Sequence, residues 1–201
     1  MTLNFAILGD SIAYGQGAAR STDTVAARLS ADLAAHGIPA EARVFAVPGS
    51  RSSDLAAQVS RASAWPPALT LIIVGANDLT RFVPPPVAAA QLGDAVRALR
   101  AAGAEVVVAP APDLSVVPWV PAEMRPAVRA ASQLLHDAQA RAAVSAGAHV
   151  AEIGMTTAAG FARDAGLFSA DRFHPSSAGY AVIAAALAPA VRAAVSARVR
   201  S

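Results

Sequence analysis

The chain has 201 residues, of which 55% are hydrophobic and 15% are charged, and its net charge is +2. This length suits one domain with a substantial core, and we expect residues 1–201 to form a single domain because no Ser/Gly-rich or charge-rich linker divides them. The sequence has no cysteine and no lysine, which excludes disulfides, thiolate nucleophiles, cysteine-ligated metals, Schiff-base lysines and the lysine of a Walker phosphate loop.

Strand and helix signals alternate from the start of the chain. Asn4 to Leu8 is a short apolar run and predicts a buried first strand, and a helix from about Thr22 to His36 follows it. Arg43 to Val47 predicts a second strand, which Pro48-Gly49 would close. Capping residues then favour a short helix from about Ser52 to Arg61.

The middle of the chain continues the same alternation. Leu69 to Val74 is rich in β-branched residues and predicts a third strand, and prolines lead into a helix from about Val87 to Ala102. Val106 to Ala109 predicts a fourth strand. The following segment, Pro110 to Pro121, has no regular period and is expected to be irregular.

The last part of the chain completes the predicted fold. It contains a long helix from about Ala122 to Ala146, a fifth strand at His149 to Ile153 and a proline-initiated helix from about Ser176 to Val195. Five buried strands separated by helices predict a parallel sheet covered on both faces, which is a three-layer α/β/α fold. We expect the flavodoxin-like strand order 2-1-3-4-5, in which functional groups gather at the carboxyl ends of the strands.

Four short motifs fall at such positions. They are Gly9-Asp10-Ser11 after strand one, Pro48-Gly49-Ser50 after strand two, Gly75-Ala76-Asn77-Asp78 after strand three, and Asp171-Arg172-Phe173-His174-Pro175 before the last helix. A serine hydroxyl needs a base within hydrogen-bond reach, and the base needs a partner that fixes its tautomer. Ser11, His174 and Asp171 can fill these three roles, because a spacing of three places Asp171 and His174 on one face of a turn.

Acyl transfer also places negative charge on the former carbonyl oxygen, which aimed hydrogen-bond donors stabilise. The backbone amides of Ser11 and Gly49 and the side-chain amide of Asn77 can supply three such donors. Asp10 and Asp78 are interpreted as structural residues that accept hydrogen bonds from local backbone. Asp164 is an alternative carboxylate partner for the base.

Together, the four motifs resemble those of the SGNH hydrolases, also called GDSL esterases and lipases. The resemblance extends over the whole chain, because the motifs occur in that family's order. It implies an SGNH hydrolase fold without metal or organic cofactor, with serine, glycine, asparagine and histidine in the roles given above. It also favours Asp171 over Asp164, because the spacing of Asp171 to His174 matches the family.

The function expected from these residues is that of a serine esterase that forms a covalent acyl-enzyme on a small-molecule acyl ester. An acyltransferase that uses the same triad is an alternative, and so is a non-catalytic binding module on the same fold. A third alternative is a dinucleotide-binding loop at Gly15 to Ala19, although its glycines begin late after the first strand. The segment Leu114, Val116, Val117 and Trp119 would either bind the substrate or pack against a neighbouring helix.

Other partners are disfavoured by the sequence. The arginines are scattered from Arg20 to Arg200 and aromatic residues are only 5%, so no nucleic-acid partner is expected. Apolar runs such as Leu69 to Val74 fall short of the roughly 20 residues that span a bilayer, so no integral membrane segment is expected. The first residues do not resemble a signal peptide, which predicts a cytoplasmic protein. The pattern does not indicate an oligomeric state.

Overall fold

The computed structural model describes residues 2–200, without the side chains of 154–156, 199 and 200. Its centre is a five-stranded parallel sheet with the order β2-β1-β3-β4-β5, which confirms the predicted topology. The strands are β1 (Leu3–Gly9), β2 (Ala40–Val44), β3 (Leu69–Ile73), β4 (Glu105–Ala109) and β5 (His149–Val150).

Helices cover both faces of this sheet. They are α1 (Ser11–Tyr14), α2 (Val25–Ala35), α3 (Leu55–Ser63), α4 (Ala76–Thr80), α5 (Pro85–Ala101), α6 (Arg125–Ser145), α7 (Ile153–Arg163) and α8 (Ser177–Arg200). Successive side chains of a strand point to opposite faces. Phe5 and Ile7 of β1 therefore pack with α2, α7 and α8, whereas Ala6 and Leu8 pack with α3, α5 and α6.

Three of the predicted strands agree with the structure to within one residue at each end, and the other two differ more. The second was predicted at Arg43 to Val47 but lies at Ala40–Val44. It is an edge strand of mixed polar and apolar residues, so it lacks the apolar run on which the prediction relied. The fifth was predicted to reach Ile153 but ends at Val150, because Ile153 already begins α7.

Helix α7 was not predicted. Its first eight residues include two glycines and two threonines, all of which have low helix propensity. It is stabilised by tertiary packing instead, since Phe161 lies in the core with its ring 5.0 Å from that of Phe168 in an edge-to-face contact. The short helices α1 and α4, which carry Ser11 and Asn77, were not predicted either.

The last helix requires a comment on membranes. Ser177–Arg198 is, among the described residues, the one helical segment long and apolar enough to cross a bilayer. Half of it is buried inside the protein, with Tyr180, Leu187 and Val191 fully enclosed. Packing against α2 and the sheet therefore accounts for its apolar character.

Candidate active site

Ser11 lies at the carboxyl edge of the sheet, directly after β1. Gly9 and Ile73 are paired in the sheet, so the chain segments after β1 and β3 start side by side. Gly9 has a φ of +129°, and a Cβ there would come within 1.8 Å of the carbonyl oxygen of Ile73. Only glycine fits this position. Asp10 then begins α1 by accepting a hydrogen bond of 3.0 Å from the Ile12 amide, which places Ser11 in the first turn.

Ser11 and His174 are hydrogen-bonded although 163 residues separate them. The Ser11 Oγ lies 2.9 Å from Nε2 of His174, and the Nδ1 atom of the same ring lies 2.6 Å from Oδ2 of Asp171. An ionised carboxylate only accepts hydrogen bonds, so Nδ1 must donate to Asp171. In the neutral ring Nε2 then has a free lone pair directed at the Ser11 hydroxyl, which is the arrangement of a general base.

The Asp171 carboxylate is held in place by its own loop. Its Oδ1 accepts hydrogen bonds from the backbone amides of Phe173 and His174, both at 2.9 Å, and from the hydroxyl of Ser169 at 2.8 Å. Burial raises the pKa of Asp171, but the hydrogen bonds from His174, the two backbone amides and Ser169 outweigh it and hold this pKa well below its usual range. Asp171 is therefore ionised at neutral pH and orients the imidazole.

Asp164, the alternative carboxylate, is engaged elsewhere. Its Oδ1 accepts a hydrogen bond of 2.8 Å from the Gly166 amide and begins the short helical turn Ala165–Leu167. The carboxylate bonded to His174 is that of Asp171. The geometry therefore pairs the base with Asp171.

The second and third motifs meet at the same edge. Asn77, in the first turn of α4, donates from Nδ2 to the carbonyl oxygen of Ser50 at 3.0 Å and so ties α4 to the loop after β2. Because an amide nitrogen carries two hydrogens, Asn77 keeps a second donor besides this bond. Gly49 has a φ of +83°, a conformation that favours glycine.

A buried polar network that the sequence did not reveal supports this edge. Gln58 accepts from the Gly9 amide at 2.7 Å and donates to the Gly9 carbonyl at 2.9 Å and to the Ser50 hydroxyl at 3.1 Å. Asp78 accepts from the amide and hydroxyl of Ser52, at 3.0 and 3.1 Å. Gln139 links that hydroxyl to the loop after β4.

A sequence signal for Gln58 did exist. Leu55, Gln58 and Ala62 share the buried face of α3, so a polar residue interrupts an apolar stripe. Buried polar groups must be hydrogen-bonded, and such an interruption therefore indicates a partner elsewhere in the chain.

Asp10 gives the folded protein a distinct dependence on pH. Burial raises its pKa from 3.8 to about 7, the hydrogen bond from the Ile12 amide opposes this rise, and the charge of Asp78 adds to it. Between pH 3.8 and about pH 7, the Asp10 carboxyl is protonated in the folded state and ionised in the unfolded state. The stabilisation is thus present below pH 3.8 and is lost as the pH rises through about 7. Burial also raises the pKa of Asp78, which acts in the same direction.

We expect Asp10→Asn to reduce this loss of stability, because the amide is uncharged and retains an oxygen that accepts from Ile12. Urea unfolding at pH 5 and pH 8 should give a smaller decrease in the free energy of unfolding for the variant, by at most about 3 kcal/mol, because roughly two pH units separate pH 5 from the pKa of about 7. Asp94→Asn, at an exposed position on α5, serves as the control. Equal decreases in wild type and Asp10→Asn would contradict the prediction.

The loop from Gly15 to Ala19 packs against the segment that carries His174. The Tyr180 hydroxyl donates to the carbonyl of Gln16 at 2.8 Å, and the Ala19 amide donates to the hydroxyl of Ser177 at 3.0 Å. A Cβ on Gly17 would come within 2.5 Å of the Pro175 carbonyl oxygen. The glycines considered for dinucleotide binding thus allow a close contact between the two ends of the chain.

Two apolar spaces lie on either side of Phe173, the residue before His174. The inner cavity has a volume of about 80 Å³ and is lined by Ile12, Ile73, Pro110, Pro112, Asp113, Leu114, Val116, Val117, Ile153, Thr157, Ala158, Phe161, Phe168, Phe173, Pro175 and Ile183. The outer groove has a volume of about 530 Å³ and is lined by Leu79, Thr80, Phe82, Leu114, Val117, Trp119, Val120, Pro121, Met124, Ala127, Val128, Ala131, Ser132 and Phe173.

The four residues predicted to bind substrate line these spaces. Leu114 and Val117 border both, Val116 borders the inner cavity, and Trp119 borders the outer groove. Phe173 also lines both spaces but was not predicted to bind substrate. Its position next to His174 in the sequence could have indicated this role.

The other histidines make contacts away from Ser11. His36 lies 2.8 Å from the Asp32 carbonyl, His136 lies 2.9 Å from Glu152, and His149 lies 3.3 Å from Glu105. Within the part of the chain that the structure describes, no three metal-ligating side chains form a cluster.

Comparison with known proteins gives consistent results. The sequence pattern of the GDSL-like Lipase/Acylhydrolase family matches residues 7–182, a range that contains the five proposed catalytic and oxyanion-hole residues. The GDSL-like esterase Rv1075c of Mycobacterium tuberculosis is 35% identical over 190 residues, which cover 92% of this chain. The chain spans only 60% of the length of that relative.

Solved structures show the same fold. TesA superimposes with a TM-score of 0.76 at 21% identity, covering 95% of this chain and 99% of TesA. The psychrotrophic esterase EstA from Pseudoalteromonas sp. gives a TM-score of 0.74 at 18% identity, covering 96% and 98% of the two chains. From the extent of the family match, the chain belongs to the GDSL-like lipase/acylhydrolase family, the SGNH hydrolases.

Proposed function

We propose that this protein is a serine esterase that hydrolyses small or medium acyl esters through a covalent acyl-enzyme. The observation that carries the proposal is the continuous hydrogen-bonded series from Ser11 through His174 to Asp171. The esterase name of the mycobacterial relative and the membership of the family support the same reaction.

The first half of the reaction acylates the enzyme. The Ser11 Oγ attacks the ester carbonyl carbon as its proton passes to Nε2 of His174, and Asp171 stabilises the resulting imidazolium. The amides of Ser11 and Gly49 and the second N–H of Asn77 donate to the oxyanion. The intermediate collapses, the bond to the alkoxy oxygen breaks, and this oxygen leaves as an alcohol with the proton from His174.

The second half releases the acid. A water molecule gives a proton to Nε2 of His174 and attacks the acyl carbon, and the bond to Ser11 then breaks as the proton returns to its Oγ. The outer groove supplies an apolar surface for the acyl chain, and Trp119, Val117 and Leu114 form part of its wall.

A fluorophosphonate tests this proposal, because it phosphonylates activated serines. We expect the folded protein to gain the mass of one adduct, to carry it on Ser11 by peptide mapping, and to release p-nitrophenol from acetate, butyrate and octanoate esters. Folded protein that shows neither labelling nor hydrolysis would overturn the proposal in favour of a non-catalytic binding module. If an added alcohol receives most of the acyl group, the protein is an acyltransferase.

A further inference from the structure

Phe173 separates two apolar spaces beside the proposed catalytic residues. Its ring lies edge-on to the imidazole of His174, with the ring centres 4.9 Å apart and the planes at 86°. On its other side the ring contacts Trp119, with the centres 5.3 Å apart. Phe173, Leu114 and Val117 border both the inner cavity and the outer groove, so these three side chains form the wall between them.

The inner cavity is lined by side chains adjacent in sequence to Ser11 and His174. Ile12 follows Ser11 in α1, and Phe173 and Pro175 flank His174, and all three line this cavity. Its volume of about 80 Å³ is roughly half that of an engineered apolar cavity of about 150 Å³ that binds benzene. It therefore holds an apolar group of about three or four carbons.

The two polar side chains in the wall of the inner cavity are already engaged. Asp113 accepts from the Ser115 amide at 2.9 Å, and Thr157 donates to the Ile153 carbonyl at 2.7 Å. All other lining residues are apolar, so a ligand with several hydroxyl groups would lose more hydrogen bonds to water than Asp113 and Thr157 can replace, which costs free energy. The chemistry of the cavity suits a hydrocarbon group.

The outer groove lies on the opposite side of Phe173. Leu79 and Thr80 of α4, the helix that carries Asn77, form one wall, and Ala131 of α6 lies in the other. Trp119, which is 55% exposed, borders the groove on the solvent side. This larger and more open space places no sharp limit on chain length.

An ester has two arms, and the reaction geometry distributes them. The alkoxy oxygen must lie near His174, because it takes its proton from Nε2 when it leaves. Both arms are attached to the same carbon, so the acyl arm takes the direction away from His174, and Leu79 and Thr80 of α4, the helix that carries Asn77, line the outer groove. We infer that the inner cavity binds the alkoxy arm of the substrate, that the outer groove binds the acyl arm, and that Phe173 is the specificity-determining residue between them.

This inference rests on the proposed esterase function and narrows its substrates. The enzyme prefers esters of short, uncharged, apolar alcohols with up to about four carbons, whereas the acyl chain can be longer. Esters of sugars are poor substrates, because their several hydroxyl groups would enter a mainly apolar cavity that has too few hydrogen-bond partners.

An isomeric pair of esters tests the inference in the wild-type protein. Methyl octanoate and heptyl acetate have the same formula but carry the long chain on opposite arms. We expect kcat/KM for methyl octanoate to exceed that for heptyl acetate at least about tenfold, because methylene groups that a pocket cannot accommodate change specificity by such factors. Equal values, or the reverse order, would overturn the inference.

A matched pair of variants localises each arm. Ala158→Phe fills the inner cavity from α7, and Ala131→Phe fills the outer groove from α6, and each alanine borders only one of the two spaces. The substrates are butyl acetate and its isomer methyl pentanoate. Each value is divided by the same variant's kcat/KM for methyl acetate, so that any general loss of activity cancels.

Ala158→Phe should lower the relative value for butyl acetate at least about tenfold, and Ala131→Phe should lower that for methyl pentanoate. The opposite pattern, or no change in either variant, would overturn the assignment of the arms. Ala158→Leu replaces Ala158→Phe if the larger side chain prevents folding. Fluorophosphonate labelling of Ser11 distinguishes failure of the proposed function from failure of this inference. If wild type is not labelled, the esterase function itself is refuted. If it is labelled but the selectivity does not change, only the assignment of the arms is refuted.

Discussion

Ser11→Ala is expected to lower kcat/KM for p-nitrophenyl butyrate by a factor of about 10⁴ to 10⁶, the range seen when the nucleophile of a serine triad is removed. The substitution deletes the attacking oxygen, which lies 2.9 Å from Nε2 of His174, and leaves the caps of α1 in place. The fluorophosphonate adduct should disappear with the activity. Both are measured on the same preparation, by intact mass and by p-nitrophenol release.

Ser30→Ala is the matched control for this loss. The Ser30 hydroxyl is buried on α2 and makes no hydrogen bond to the residues that the structure describes, so its removal should leave labelling and rate within about twofold of wild type. Persistent labelling of the Ser11→Ala protein at another serine would mean that the nucleophile is misassigned.

Asp171→Asn is expected to lower kcat by a factor of about 10³ to 10⁴ near neutral pH. In the variant, an N–H of the asparagine side chain takes the place of the oxygen that accepted from Nδ1 of His174. Nδ1 then accepts this hydrogen bond, so the neutral ring carries its proton on Nε2, which faces Ser11. The imidazolium also loses the negative charge that stabilises it. Because the pKa of Asp171 is held well below its usual range, wild type should not lose this contribution at any pH above about 5.

Asp164→Asn is the control that separates the two candidate carboxylates. The asparagine side chain retains an oxygen that accepts from the Gly166 amide. Position 164 takes no part in the hydrogen bond between His174 and Asp171. Its kcat should stay within about twofold of wild type. A large loss in Asp164→Asn together with normal activity in Asp171→Asn would reverse the assignment.

The central sheet and the order of the motifs were predictable from sequence because both depend on local patterns. β1, β3 and β4 are mainly apolar and largely buried, and short runs of this kind are recognisable in the sequence as strands. The edge strand β2 is mixed in polarity, and α7 is helical despite its glycines and threonines. Their bounds follow from tertiary packing, which local patterns do not encode.

The support of the site was harder to predict for a related reason. Gln58 bonds to Gly9 across 49 residues, and Gln139 bonds to Ser52 across 87. Glutamine carries no short motif, so only its unusual place on an apolar helix face signals the partner. The motif residues could be assigned because the resemblance to a family supplied the long-range proximity that spacing alone lacks.

If the proposed mechanism holds, the close packing around Gly17 determines when the active site forms during synthesis. In the proposed mechanism, the ribosome makes the nucleophile, Ser11, 163 residues before the base, His174, whose segment docks against the Gly15 to Ala19 loop. Until that segment emerges and packs, Ser11 has no base to activate it. A nascent chain that already contains most of the sheet would thus remain inert toward esters in the cell, and translation past His174 would act as the switch.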